Sequence, residues 1–236
     1  MKTNNLNFLR LIAAGLVLYG HSAIFLGHPE PLFLSWMPLG PLGVAIFFII
    51  SGYLVTQSWQ QDPNLLRFFI RRCLRIFPGL IVCVLFCIFV LGPWLTSLPL
   101  NQYFAHEATW NYLRNIGLYI TFYLPGVFEH GRVPNAVNGS LWSLPLEFFL
   151  YFVVAVLGLI STKKWITIAT FLTSALLYLC WAQSATEMLV VYGTDLRQLF
   201  INGTYFWAGA VFYQLNLKRY FSITSVVLAG VGMLCI

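Results

Sequence analysis

Two ionisable side chains, Arg10 and His21, stand inside the first apolar run of this 236-residue chain. An imidazole can take and return a proton near neutral pH. A guanidinium is a permanent cation that pairs with carboxylate or phosphate. Eleven positions make about three helical turns plus ~20°, so both side chains would share one helix face, roughly 16 Å apart along the axis. A charge at the centre of a membrane helix costs about 2.5–3.5 kcal/mol on insertion scales, which makes each one a pointer to function. The alternative is that Arg10 snorkels to one headgroup layer and His21 rests in the other.

Glu147 is a second charge of this kind. It closes the run Asn138-Gly-Ser-Leu-Trp-Ser-Leu-Pro-Leu-Glu147, in which Asn138 or Ser140 can cap a helix and Pro145 suits its first turn. Ser143, Glu147 and Tyr151 recur at i, i+4 and i+8 as one polar stripe. Counted from the start of that helix, Glu147 is expected at a depth similar to that of His21. There a carboxylate would fix the imidazole tautomer and stabilise its protonated form. A structural hydrogen bond between helices is the alternative.

Arg67, Arg71, Arg72 and Arg75 precede Ile76-Phe-Pro78. Arg72 and Arg75, at i and i+3, form a fork suited to phosphate. Arginines beside a membrane also set topology and touch anionic lipid. Phe47-Phe48-Ile-Ile-Ser51-Gly52-Tyr53-Leu54 supplies small residues for close helix packing.

The elements that must position these groups are membrane helices. The chain is 59% hydrophobic and 8% charged, against about 25% charged residues in soluble domains. The fold class is therefore all-α, a polytopic transmembrane helical bundle. Apolar segments run over Leu6–Leu26, Pro38–Ser58, Ile76–Thr96, Leu141–Ile160, Ile166–Gln183 and Leu196–Leu215. Each is long enough for a span of ~20 residues. A seventh begins near Phe221 and is cut at Ile236, so the chain is expected to stop within a helix. A long outer loop, Ser97–Gly139, separates the third and fourth spans, with Asn111–Leu124 as a re-entrant or interfacial helix inside it.

With the N-terminus cytoplasmic, the inner segments hold nine Lys and Arg: Lys2, Arg67, Arg71, Arg72, Arg75, Lys163, Lys164, Lys218 and Arg219. The outer segments hold three, Arg114, Arg132 and Arg197. That asymmetry predicts a multi-pass inner (plasma) membrane protein with its N-terminus inside. The net charge of +6 is thus explained by topology, and no nucleic-acid partner is expected. Lys2 and the stretch Leu11–Leu18 resemble a secretory signal, but Arg10 and the lack of a small-x-small site favour a retained helix. Cys73, Cys83, Cys87, Cys180 and Cys235 are odd in number and lack metal-ligand spacing, so neither a disulfide framework nor a metal site is expected.

Together the four motifs resemble the acyltransferase 3 family of membrane O-acyltransferases. They are Arg10 with His21; Phe47-Phe48-x-x-Ser51-Gly52-Tyr53-Leu54; Arg72-x-x-Arg75-Ile76-x-Pro78; and Leu141-Trp142-Ser143-Leu144-x-x-Glu147-x-x-x-Tyr151. The motifs cover roughly residues 6–155, and the remainder resembles the family by hydropathy alone. Such proteins usually have about ten spans, more than this chain holds, so residues 1–236 are expected to form one transmembrane domain incomplete at its C-terminus.

The resemblance implies transfer of an acyl group, often acetyl, from acyl-CoA as co-substrate to a hydroxyl of an extracytoplasmic carbohydrate. Typical acceptors are O-antigen, exopolysaccharide, peptidoglycan or lipid-linked sugar. It implies a catalytic role for His21 and donor binding for Arg72 and Arg75, and extends less directly to Arg10 and Glu147. His21 is expected to act as general base for direct transfer, with a covalent acyl-His intermediate as the alternative. The partners are the bilayer, acyl-CoA and the carbohydrate acceptor; the sequence specifies no oligomeric state. Two other classes are open: a proton-coupled transporter, which fits the intramembrane charges, and an inactive membrane remnant, which fits the abrupt end of the chain.

Overall fold

The structure, a computed structural model, describes residues 5–130, 133–182, 184, 187–192 and 194–217. Lys2, Arg132, Lys218, Arg219, Cys235, the last residue of the expected fifth span (Gln183) and the seventh segment lie outside the described residues. Within them the chain is all-α apart from two short hairpins. Five helical segments are long and apolar enough to cross a membrane: Leu6–Leu26, Leu39–Gln61, Leu65–Leu95, Gly139–Ile160 and Lys164–Ala182.

Helix α1 (Asn5–Leu26) is followed by a small antiparallel hairpin, β1 (Leu32–Phe33) with β2 (Met37–Pro38), and then by α2 (Leu39–Gln61). The two helices run antiparallel in close contact because glycine removes the side chains between them. A Cβ on Gly43 would overlap the Ala13 carbonyl and Val17, and one on Gly20 would overlap Glu30 and Gly40. Small residues that let backbones approach are the usual means of joining helices in lipid, where apolar burial offers little.

Helix α3 (Leu65–Phe86) continues through a π-helical turn, Cys87–Leu91, into α4 (Gly92–Leu95). It begins eleven residues before the expected span at Ile76. Asn64 caps it, its Oδ1 accepting from the Arg67 N–H at 3.0 Å. Apolarity sets where a helix enters lipid, not where it starts, so the arginines ride on the helix itself. Its 31 residues extend about 46 Å against a hydrocarbon core of ~30 Å. At the α2–α3 turn, Asp62 pairs with Arg67 Nη2 at 2.6 Å and Arg71 Nη1 at 2.8 Å.

The segment after α4 is not a single helix at 111–124. It holds α5 (Leu100–Ala105), α6 (Glu107–Asn111) and a 3-10 turn, Tyr112–Gly117, then irregular chain from Leu118, whose φ is +61°. Asn115 is fully buried and fixes the bend, exchanging hydrogen bonds of 3.0 Å with the backbone of Thr121. Side-chain bonds take over where the helix stops, as buried backbone groups require. Tyr103 donates to the Ile88 carbonyl at 3.0 Å, and burial pushes its phenol up to about 12. Tyr112 donates to the Val137 carbonyl at 3.1 Å, tying the segment to the end of α3 and the entry to the next span.

A 3-10 turn, Gly139–Trp142, leads into α7 (Ser143–Ile160), which runs parallel to α2. Neither Asn138 nor Ser140 caps it. Asn138 is left-handed (φ +55°), accepts from the Ser140 hydroxyl and donates to Cys83 Sγ instead. Pro145 does lie in the first turn of α7. Helix α8 (Lys164–Leu177) returns antiparallel. A second hairpin, β3 (Val190–Val191) with β4 (Thr194–Asp195), precedes α9 (Leu196–Gln214).

Helix α9 fills the sixth expected position but is less apolar than the other five. It runs parallel to α2 at backbone contact: a Cβ on Gly52 would overlap the Phe206 carbonyl, and one on Gly209 the Ile49 carbonyl. Beyond the crossing, Tyr53 packs edge-on against Tyr213 with ring centroids 5.2 Å apart. On its other side, Ser174 of α8 meets the Thr204 hydroxyl at 3.1 Å.

Two predictions follow from this packing. Gly52→Val forces α2 and α9 apart and should lower stability by about 1–3 kcal/mol, read as a lower melting temperature in detergent. Gly79→Ala, where a Cβ meets nothing within 4 Å, should be neutral or slightly stabilising. At the α2–α3 turn, hydrogen bonds from Arg67 and then Arg71 hold the Asp62 carboxyl down at about 2. Its contribution to stability is complete above the unfolded value near pH 4 and disappears as pH falls through 2. The drop in melting temperature between pH 4 and 2 should therefore be smaller in Asp62→Asn than in the parent chain.

Candidate functional site

Four helices bring polar groups to one level of the bundle. Glu147 of α7 accepts short hydrogen bonds from the Ser51 hydroxyl of α2 and the Tyr151 hydroxyl one turn along α7. Arg10 of α1 interacts electrostatically with Arg75, Glu147, Tyr151 and Arg72. Arg72 of α3 is 7% exposed and lies between two aromatic rings, its Cζ 5.6 Å from the centroids of both Phe68 and Tyr151. Burying the guanidinium between rings provides cation–π attraction in place of water. Arg75, one turn on, is exposed. The expected fork thus has one buried tine and one at the rim.

The charge at this level does not balance. Arg10, Arg72 and Arg75 face one carboxylate, that of Glu147, whose Oε1 accepts both hydroxyl hydrogen bonds. Arg10 Nη2 and Arg72 Nε are buried with no hydrogen-bond partner among the described residues. Buried guanidinium N–H groups without acceptors are costly. Surplus desolvated cations of this kind can take the oxygens of an anion as acceptors. Arg67 and Arg71 are not part of it, since Asp62 holds both at the helix end.

His21 is elsewhere. It shares the Arg10 face of α1, as the spacing required, but stands eleven residues nearer the other end. There it lines two cavities. One, of about 530 Å³, is bounded by Phe25, Phe128, Asn138 and Ser140 among others. The other, of about 310 Å³, lies between α1, the start of α2, Trp142 and the first turns of α9. His21 itself is half-buried and makes no hydrogen bond or ion pair among the described residues.

Glu147 is therefore not at the depth of His21. His21 shares a cavity with Asn138 to Ser140, and Glu147 follows Gly139 by eight residues, about 12 Å deeper along α7. The same offset holds on α2, where Gly40 is beside Gly20 but the partner of Glu147 is Ser51. The carboxylate that lines a cavity with His21 is Glu30, whose Oε1 accepts from the Gly40 N–H at 2.6 Å.

Three polar groups that line the smaller cavity carried no motif: Glu30, and the carboxamides Gln198 and Asn202 of α9. The available signal for the last was a buried-type polar pair at i and i+4 in an otherwise apolar helix. Ser51 lay within a motif whose packing role alone was evident. Among the described residues no group of three His, Cys, Asp or Glu could hold a metal ion.

A family model described as an acyltransferase domain matches residues 3–236. An O-acetyl transferase of Shigella phage Sf6 is 34% identical over 71% of this chain and 50% of its own length. Nodulation protein 10 of Rhizobium leguminosarum is 32% identical over 65% of this chain and 44% of its own. The peptidoglycan O-acetyltransferase OatA of Listeria monocytogenes is 29% identical over 69% of this chain and 28% of its own. The chain thus spans half or less of the length of these curated relatives. No solved structure matches. With the family model covering nearly every residue, five apolar spans and the four motifs in order, the chain belongs to the acyltransferase 3 family of multi-pass membrane O-acyltransferases.

Proposed function

We propose that residues 1–236 form one transmembrane acyltransferase domain that moves an acyl group, acetyl by its relatives' names, from cytoplasmic acyl-CoA to a hydroxyl of a cell-surface or lipid-linked carbohydrate. In this reading α9 is a sixth crossing, the N-terminus is cytoplasmic and the membrane is the plasma (inner) membrane. Among described residues, Arg67, Arg71, Lys163 and Lys164 gather at the Arg10 end, and Arg114 and Arg197 at the His21 end, a bias that fits this orientation.

The observation that carries the reading is the pairing of a surplus-cation site with an unpartnered imidazole on one face of one helix. CoA is a polyanion, and Arg72, Arg75 and Arg10 offer its phosphates charge-assisted hydrogen bonds. From there an extended pantetheine arm along α1 brings its thioester towards His21. His21 takes the proton of the attacking sugar hydroxyl. The sugar oxygen bonds to the acyl carbon as the C–S bond breaks, and the departing sulfur receives the proton back from the imidazolium. Glu147 balances Arg10 and Arg72 and is held by Ser51 and Tyr151; it is assigned no role at the imidazole.

Membranes given radiolabelled acetyl-CoA test the acid–base step. His21→Ala at equal expression should lower label in glycan by about 10²–10⁴-fold; equal labelling removes His21 from the mechanism. For the cation site, Arg72→Ala combined with Arg75→Ala should raise the apparent KM for acetyl-CoA about tenfold or more, the worth of one or two charged hydrogen bonds. An unchanged KM with altered membrane orientation would return these arginines to a purely topological role.

A further inference from the structure

The smaller cavity beside His21 is walled by α9, a helix outside all four motifs. Its chemistry is distinctive. Gln198, Asn202 and Tyr205 line it from α9, Trp142 from the turn before α7, and Glu30 from the connection between α1 and α2. Asn202 is 5% exposed, and its Nδ2 donates to both the backbone carbonyl (3.1 Å) and Oε1 (3.0 Å) of Gln198. Those bonds fix both amides, leaving Gln198 Nε2 as a donor and Asn202 Oδ1 as an acceptor. Glu30 uses Oε1 on the Gly40 N–H, which leaves Oε2 as a second acceptor. The backbone is shaped around this carboxylate, since a Cβ on either Gly20 or Gly40 would overlap it.

Oriented amides in a membrane helix are retained where they hydrogen-bond something. No Lys or Arg lines this cavity, and its one carboxylate repels phosphate, so the acyl-CoA donor is a poor occupant. A neutral ring bearing hydroxyls suits it. Its apolar C–H face packs on the Trp142 indole while its hydroxyls meet a donor and two acceptors.

We propose that this cavity binds a single pyranose ring of the carbohydrate acceptor, with Trp142 as its floor, Gln198, Asn202 and Glu30 reading its hydroxyls, and one hydroxyl presented to His21. This rests on the acyltransferase reading above and adds the recognition site to it. About 310 Å³ accommodates one sugar residue and not an oligosaccharide. The 530 Å³ cavity on the other flank of His21 leaves room for the continuing chain.

Binding can be read without turnover. In nanodiscs, Ile201→Cys, a lining position with no part in reading hydroxyls, is labelled with a water-soluble maleimide, against the parent chain as background for its own cysteines. The probes are the methyl glycosides of glucose, galactose, rhamnose and N-acetylglucosamine, with glycerol as a hydroxylic compound lacking a ring. A glycoside at about ten times its Kd should slow labelling roughly tenfold, and glycerol should not. Met37→Cys, which lines the same cavity from β2, is the reporter if Ile201→Cys does not fold. Labelling that no glycoside slows, that glycerol slows equally, or that fails in both folded reporters overturns the proposal. Transfer of radiolabel in His21→Ala reports separately: protection together with undiminished transfer would leave the sugar site standing and remove the general base. Loss of transfer without protection would do the reverse.

Discussion

Three guanidinium groups and one carboxylate meet at the level of Ser51, among helices chosen by length and apolarity to lie in lipid. This imbalance constrains the rest of the bundle. A buried cation is tolerable only where partners are held in place, so α1, α2, α3 and α7 must converge there. Each contributes one fixed element: Arg10, Ser51, Arg72 between its rings, and Glu147 with Tyr151. The site remains incomplete even so, because Arg10 Nη2 and Arg72 Nε find no acceptor. An anion entering from the rim at Arg75 would supply those acceptors, as the proposed donor binding requires.

A second consequence is the separation of charge chemistry from proton chemistry. The cations occupy one level, and the imidazole stands roughly 16 Å away on the same face of α1. Only a long substrate can touch both, with its anionic end at one level and its reactive carbon at the other. The cavities beside His21 are different in kind, lined by amides, hydroxyls, aromatic rings and the lone carboxylate of Glu30. The bundle thus presents a cation-rich level and a separate cavity region joined by one helix face, an arrangement that fits the proposed transfer from a polyanionic donor to a neutral polyol.

What could be read from sequence was what local geometry determines. Arg10 and His21 share a face because both sit on one helix, and no neighbour can change that. The spans are legible as long apolar runs, although the third helix starts earlier than its apolarity because Asn64 caps it and arginine tolerates a helix outside lipid. The depth of Glu147 was misjudged because depth depends on register between helices. That register is set by backbone contacts at Gly20, Gly40 and Gly43 and by the Ser51–Glu147 bond, none of which has a local signature. The helix expected over 111–124 fails for a related reason: buried Asn115 bonds to Thr121 and pulls the chain into a bend that propensity alone does not foresee. Glu30 and Asn202 escaped notice because each becomes meaningful only when its helix or connection is placed beside His21.

The Ser51–Gly52 pair shows why packing and chemistry cannot be assigned to different residues here. Consecutive helical positions point about 100° apart, so one residue addresses α9 while its neighbour addresses α7. Gly52 brings the backbone of α2 against the Phe206 carbonyl, which no residue with a Cβ could do. That contact fixes the rotation of α2 about its own axis. With the rotation fixed, the Ser51 hydroxyl reaches Glu147, and the carboxylate is held where Arg10 and Arg72 need it. The same contact sets α9 in register with the start of α2, which places Gln198 and Asn202 opposite Gly40 and Pro41 in the cavity of His21. A motif that reads as helix packing is therefore the joint through which both the arginine level and the cavity beside His21 are positioned.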